Sequence, residues 1–350
     1  MARIFNPEML FVAREARGLT QSELAKRLHI AQETISRIEN GLRQPTAEQV
    51  SGFAKYLQFT EGFFFLDEHI KHFGSGCVYH RRRKKAPQST LRQLLGLINV
   101  RRIQVKRLLQ SAEIETTNQF VRFDLEEYID PGKIASLVRT IWKIPPGPIQ
   151  NLSRVIEDAG GIIMRCDFGT RDIDAISQFM PGSPPLFLVN SRIPTDRLRW
   201  TLSHELGHIV MHQIPTEHME TEADKFAAEF LTPLAQIKPY LRDVGLAQLA
   251  NLKIHWKVSM SSLLRRAGEL ESISPRRQSY LWTQMGKSGW TSNEPVDLPP
   301  ENPSLFEELV NVHSSELGYS ASELSSVVFE SEEQVRQVFM PPKTGLQIIP

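Results

Sequence analysis

Cysteine is nearly missing from this chain. Cys77 and Cys166 are the only two in 350 residues, which excludes a disulfide framework and any metal site built on a Cys-X-X-Cys pair. Long apolar runs are missing as well. No uninterrupted stretch approaches the ~18 residues that a membrane span needs. Met1 to Pro7 lack the apolar core and small-residue cleavage site of a secretory leader. Net charge is also close to nil, with 41 basic residues against 40 acidic ones, so total charge names no partner. These absences lead to the expectation of a cytoplasmic, soluble protein with no membrane partner, long enough for two or three domains.

The distribution of charge says more than its sum. From Lys71 to Arg107 the chain carries eleven basic residues and no acidic one, so an anionic partner is expected toward the N-terminal third. The pentad Arg81–Lys85 could face DNA phosphate, acidic protein or solvent.

Between Pro7 and about Leu66 the pattern is one of short helices. Thr20-Gln21-Ser22-Glu23 is a capping box, in which Thr20 accepts from first-turn amides and Glu23 reaches back. Leu24, Ala25 and Leu28 make the buried stripe of that helix. His29-Ile30 is a brief turn, and Ala31 to Glu39 form the next helix, ended by Asn40-Gly41. Pro45 and Thr46 open another. This is the layout of a helix-turn-helix, whose second helix enters the DNA major groove with its N-terminal residues at the base edges. The candidate contacts are Gln32, Glu33, Thr34, Ser36 and Arg37, since Gln pairs bidentately with adenine and Arg with guanine or phosphate. Gln21 is placed for a backbone contact. A double-stranded DNA operator is the expected partner, and a homodimer the expected assembly.

Farther on, Leu91 to Ala112 have a rough helical period with a basic face. Two helices, Pro131–Trp142 and Pro148–Ala159, precede three short strands at Ile162–Cys166, Ala175–Met180 and Leu186–Val189. Gly182-Ser183-Pro184-Pro185 separates the last two strands as a hairpin turn would. A helix then runs from near Pro194 to about His212, another from Glu217 to Leu231, and more from Leu246 to about Leu270. The tail from Ser272 is mixed.

The helix from Pro194 carries His204-Glu205-Leu206-Gly207-His208. Residues four apart share a helical face, so His204 and His208 can aim both imidazoles at one ion. Glu205 borders that face and can act as general base on a water whose pKa a zinc ion lowers toward ~7. A third protein ligand is needed. His212 lies about 12 Å along the helix from His204, too far to share the ion. A further histidine of the HExxHxxGxxH kind would fall at position 214, which is Ile214. The next helix offers Glu220, which shares a face with Asp224; Asp224 could accept the ring N–H of a ligand histidine. Glu222 and His218 remain the other choices.

Residues 19–46, LTQSELAKRLHIAQETISRIENGLRQPT, closely resemble the Xre/Cro-type helix-turn-helix of phage-repressor-like regulators. Residues from about 130 to 270 resemble the ImmA/IrrE family of zinc metallo-endopeptidases. The motifs that carry this likeness are RWTLSHELGHIVMH (199–212), ETEADKFAAEFLTP (220–233) and HWKVSMSSLLRRA (255–267). The resemblance implies a small zincin-like α+β domain behind a helical DNA-binding domain. It implies Glu220 as the third zinc ligand, and a repressor-like protein as substrate, cut at one site. Two positions depart from the family pattern: Asp224, where Asn is frequent, and Thr232, where an apolar residue often precedes the proline.

The expected architecture is mainly α. It comprises a five-helix, lambda-repressor-like DNA-binding domain over 1–70, a basic helical linker over 71–125, a zincin-like domain over 126–271 and a helical extension over 272–350. A short antiparallel sheet is expected to pack on the motif helix. Two functions follow as expectations: a DNA-binding regulator with a working zinc endopeptidase, or a repressor or antitoxin-like protein whose zincin domain senses or dimerises without proteolysis.

Overall fold

The computed structural model describes residues 4–70, 87–128, 130–180, 182–214 and 216–340. Cys77 and the pentad Arg81–Lys85 lie outside them. The described residues form two compact units, one drawn from 4–70, 87–114 and 304–340, the other from 115–303.

In the first unit, α1 (Pro7–Ala16) starts where the Asn6 side chain accepts from the Glu8 N–H, with Pro7 in the first turn, a position where its missing N–H costs nothing. Helix α2 (Gln21–Arg27) opens on the capping box: Thr20 Oγ1 accepts from the Glu23 N–H and the Glu23 carboxylate from the Thr20 N–H. His29 takes a left-handed turn (φ 54°), and α3 (Gln32–Glu39) follows. Gly41, at φ 70°, ends α3 with its N–H on the Ile38 carbonyl. Helix α4 (Ala47–Leu57) has a second capping box, Thr46 with Gln49, and a 3-10 turn covers Glu61–Phe65. The core joins Met9, Leu10, Leu24, Ile35, Ile38, Phe53 and Phe63.

Helix α5 (Gln88–Leu108) lies in the stretch read from sequence as a linker. It packs on α1 and contributes Val100 and Ile103 to this core. Gly96 permits the approach: a Cβ there would overlap the Ala16 amide nitrogen. Its basic side chains are largely neutralised within the unit. Lys106 Nζ lies 2.6 Å and Arg102 3.5 Å from the Glu68 carboxylate, and Arg101 lies 3.0 Å from Glu330. For α5, the charge excess that pointed to an anionic partner is answered by the fold itself.

The second unit contains α6 (Pro131–Ile141), α7 (Leu152–Glu157), β1 (Ile162–Cys166), β2 (Ala175–Gln178), β3 (Leu186–Asn190), α8 (Thr195–Met211), α9 (Met219–Leu231), α10 (Leu246–Trp256), α11 (Met260–Glu269) and α12 (Pro275–Lys287). The antiparallel pair is β2 with β3, Ser177 opposite Phe187. Strand β1 adds to the other side of β3 in parallel, Ile163 opposite Phe187, so the sheet is mixed with order β1-β3-β2. Strand β3 is central and buried throughout; β2 is an edge, and α8 packs on it. Leu198, Leu202, Leu206 and Ile209 of α8 meet Phe187, Phe226 and Phe230 in one core. The stretch after α12 pins two helix starts, whose first N–H groups have no partner within the helix. Glu294 accepts from the Met260 and Ser261 N–H groups, and Glu301 from those of Leu152 and Ser153.

At Ser304 the chain returns to the first unit with α13 (Leu305–Asn311), α14 (Ala321–Val328) and α15 (Glu332–Val338). The region read from sequence as one extension is therefore divided, α12 in the second unit and α13–α15 in the first. Helix α14 packs on α5. Phe59 and Glu330 form an isolated antiparallel bridge, with the Thr60 N–H on the Phe329 carbonyl and the Ser331 N–H on that of Gln58. Among the described residues no helix is long and apolar enough to cross a membrane.

Candidate metal centre and nucleic-acid face

His204 and His208 lie one turn apart on α8, both buried. Their Nε2 atoms are 3.0 Å apart. Helix α9 brings Glu220 to the same point, Oε2 at 3.5 Å from His204 Nε2 and Oε1 at 3.3 Å from His208 Nε2. The candidate ligand atoms of these three residues all lie within 4.8 Å of one another. Behind His204, Asp224 Oδ1 is 2.9 Å from Nδ1. A carboxylate can only accept, so His204 keeps its proton on Nδ1 and presents the Nε2 lone pair to the cluster.

The donor set fits a divalent cation. Two ring nitrogens and one carboxylate are the ligand types of a three-ligand zinc site. Glu220 Oε1 is buried, and its contact with His208 lacks hydrogen-bond geometry, a cost that a cation removes. Burial raises the Glu220 pKa, but His204 and His208 outweigh it and hold the carboxylate well below its usual range. Burial lowers the pKa of His208, which favours the neutral, ligating ring.

The alternatives to Glu220 fall elsewhere. His218 is exposed at the start of α9. Glu222 Oε2 lies 2.9 Å from His212 Nε2, and His212 Nδ1 lies 3.0 Å from His208 Nδ1. Burial first, then His208, lower the His212 pKa to about 4. Glu205 is fully buried on α8, and its Oε2 accepts from Ser177 Oγ of β2 at 2.7 Å. Glu220 is the more open side of the cluster, its side chain one-third exposed (33%) against 6% and 0% for the histidines.

Three features of this site go beyond the sequence reading. Ser177 sits on a short strand, and nothing in that run says that it meets Glu205, 28 residues on. His212 had a visible signal, the spacing of four from His208, but spacing alone cannot separate a ligand from a support. Arg199, inside the motif stretch, is buried and donates to the Ile149 and Lys257 carbonyls while pairing with Glu301. It ties α8 to the start of α7.

The second candidate surface lies in the first unit. Gln32, Glu33 and Arg37 are exposed on α3, with Thr34 and Ser36 partly so, while Ile35 and Ile38 face the core. Gln32 Nε2 donates to Gln21 Oε1 and Gln21 Nε2 to Glu39 Oε2, each at 2.7 Å. Glu39 is held by Arg14 at 2.6 Å. The first residues of α2 and α3 thus form one row of side-chain amides anchored on a buried ion pair, with the side-chain donors and acceptors that base and phosphate contacts use.

Comparison with known proteins adds two findings. Residues 12–64 match the helix-turn-helix family model, and residues 156–267 match that of the IrrE N-terminal-like domain. No curated protein matches the chain.

Proposed function

Starting from a chain that fuses a helix-turn-helix DNA-binding domain to an IrrE N-terminal-like, metallopeptidase-type domain, we propose a transcriptional regulator whose second domain is a zinc-dependent endopeptidase acting on a repressor-type protein. The observation that carries this reading is the convergence of His204, His208 and Glu220 within 4.8 Å, with Glu205 one residue along the same helix. His204, His208 and Glu220 would hold the ion. Zinc bound there would polarise a peptide carbonyl and lower the pKa of a water toward ~7. Glu205 would take a proton from that water and return it to the departing amine. Ser177 Oγ holds the Glu205 carboxylate on the β2 side, so the base sits beside an edge strand that an extended substrate segment can extend. Asp224 fixes the His204 tautomer.

A second reading, a DNA-binding repressor whose metal domain senses without cutting, draws support from the complete burial of Glu205. One experiment separates the two. The full chain and its Glu205→Gln variant are incubated with repressor-type proteins encoded nearby, while bound metal is measured by elemental analysis. The peptidase reading expects cleavage by the unchanged chain only, with zinc in both. Zinc in both and cleavage in neither favours the sensor. Cleavage that survives the substitution removes Glu205 as the base.

A further inference from the structure

Behind the cluster, His208 is the first member of a row whose other two, a buried imidazole and a partly exposed carboxylate, the proposed chemistry does not use. His208 Nδ1 lies 3.0 Å from His212 Nδ1, and His212 Nε2 lies 2.9 Å from Glu222 Oε2. The side chains of His208 and His212 are 0% and 1% exposed and that of Glu222 24%. His208 lies in the last turn of α8, His212 is the extended residue that ends it, and α9 supplies the carboxylate.

The protons along this row have one consistent arrangement. His208 Nε2 faces His204 and Glu220. As a ligand atom it must offer a lone pair, so the ring proton of His208 sits on Nδ1. That N–H can only donate to His212 Nδ1, which must then be bare. The proton of a neutral His212 sits on Nε2, where Glu222 accepts it.

From this geometry, and resting on the reading of His204, His208 and Glu220 as a metal centre, we infer that His212 and Glu222 are positioning residues: an imidazole–carboxylate row that fixes the tautomer and ring orientation of His208. Asp224 does the same for His204 by direct contact. The two histidine ligands are therefore backed unequally, one by a carboxylate and the other by a neutral ring that a carboxylate orients. Glu220 and Glu222 divide the work on α9. The first reaches the ligating face of His204 and His208, and the second holds His212 behind His208.

The test uses the full chain and reads zinc affinity by chelator competition. His212→Leu keeps an apolar filling but removes the acceptor, and zinc binding is expected to weaken about 10- to 100-fold, the range typical when a ligand histidine is deprived of its support. His212→Asn returns an oxygen near the position of Nδ1 and is expected to recover most of that affinity, which simple repacking would not do. Nitrogen-15 NMR of the unchanged, zinc-loaded chain supplies the independent readout: His212 protonated on Nε2 and bare on Nδ1. Unaltered zinc affinity in His212→Leu, or a proton on His212 Nδ1, overturns the inference. If the unchanged chain binds no zinc at all, the metal reading beneath it falls instead. Should His212→Leu misfold, the NMR tautomer of the unchanged chain still decides.

Discussion

Gln32 is exposed on α3, yet its amide is not free to rotate. Gln21 holds it, Glu39 holds Gln21, and Arg14 holds Glu39. Preorganisation of this kind reduces the side-chain entropy lost on binding. Replacing Gln32 or Arg37 by Ala should weaken operator binding by about 1–3 kcal/mol for each base-edge pairing removed, and should relax preference at the bases touched. Gln21→Ala should weaken binding to all sequences through its lost backbone contact and, because Gln21 holds the Gln32 amide, should also cost part of the preference at the base Gln32 reads. Electrophoretic shift titrations against operator and unrelated DNA would check both, and equal weakening on the two DNAs for Gln32→Ala would count against base readout. At the other candidate site the comparable residue is Asp224. Asp224→Ala leaves the His204 Nδ1–H without its acceptor and should lower metal affinity about 10- to 100-fold; an unchanged chelator titration would contradict that.

Short-range chemistry made most elements readable. The capping boxes at Thr20 and Thr46, the Asn40-Gly41 stop and the start of α8 just after Pro194 depend on residues within one turn of each other. The strand ladder was readable in part. Two β-type runs on either side of a Pro-rich turn give the β2–β3 hairpin, but nothing local says that β1 joins β3 in parallel, because that pairing skips a strand. How closely α8 meets α9 is also an element-scale matter. A Cβ on Gly207 would sit 3.1 Å from the Phe226 ring. Gly207→Val should therefore lower thermal stability by about 1–3 kcal/mol, the usual cost of overpacking. It should also weaken metal binding, since α9 carries Glu220. Calorimetric melting and chelator competition on the same samples test this, and a Tm equal to that of the unchanged chain would refute it.

Over the whole molecule, the first unit is assembled from both ends of the chain. Glu330 is fully buried between Arg17 and Arg101, at 3.0 Å from each. Ending the chain after Pro303 would strip Arg17 and Arg101 of that carboxylate. Breaking one such pair costs about 3–5 kcal/mol, and the same cut removes α14 from α5. Truncation should therefore abolish cooperative unfolding of the first unit and operator binding together, as followed by circular dichroism and shift assay; full retention of either would refute the dependence. The same group sets an acid limit. Burial raises the Glu330 pKa, but Arg101 and Arg17 outweigh it, so the folded value lies below the ordinary 4.5. Below that pH the unfolded chain takes up the proton first, so the stability Glu330 contributes is present above about 4.5 and is lost as pH falls through the folded value. Glu330→Gln should be less stable at neutral pH and show a flatter decline in acid melts.

By itself the sequence determined the helix-turn-helix, the motif helix with its two histidines and glutamate, and the face that Glu220 and Asp224 share on the following helix. These rest on the helical period of 3.6 and on caps, which act between neighbours in the chain. Only the tertiary structure decided that α5 is core rather than linker, that the last helices complete the first unit, that Ser177 meets Glu205, and that His212 stands behind His208 with Glu222. Each of these depends on which faces of distant elements meet. That choice is made by apolar burial and by the need to pair buried charge, and no pattern within one segment records it.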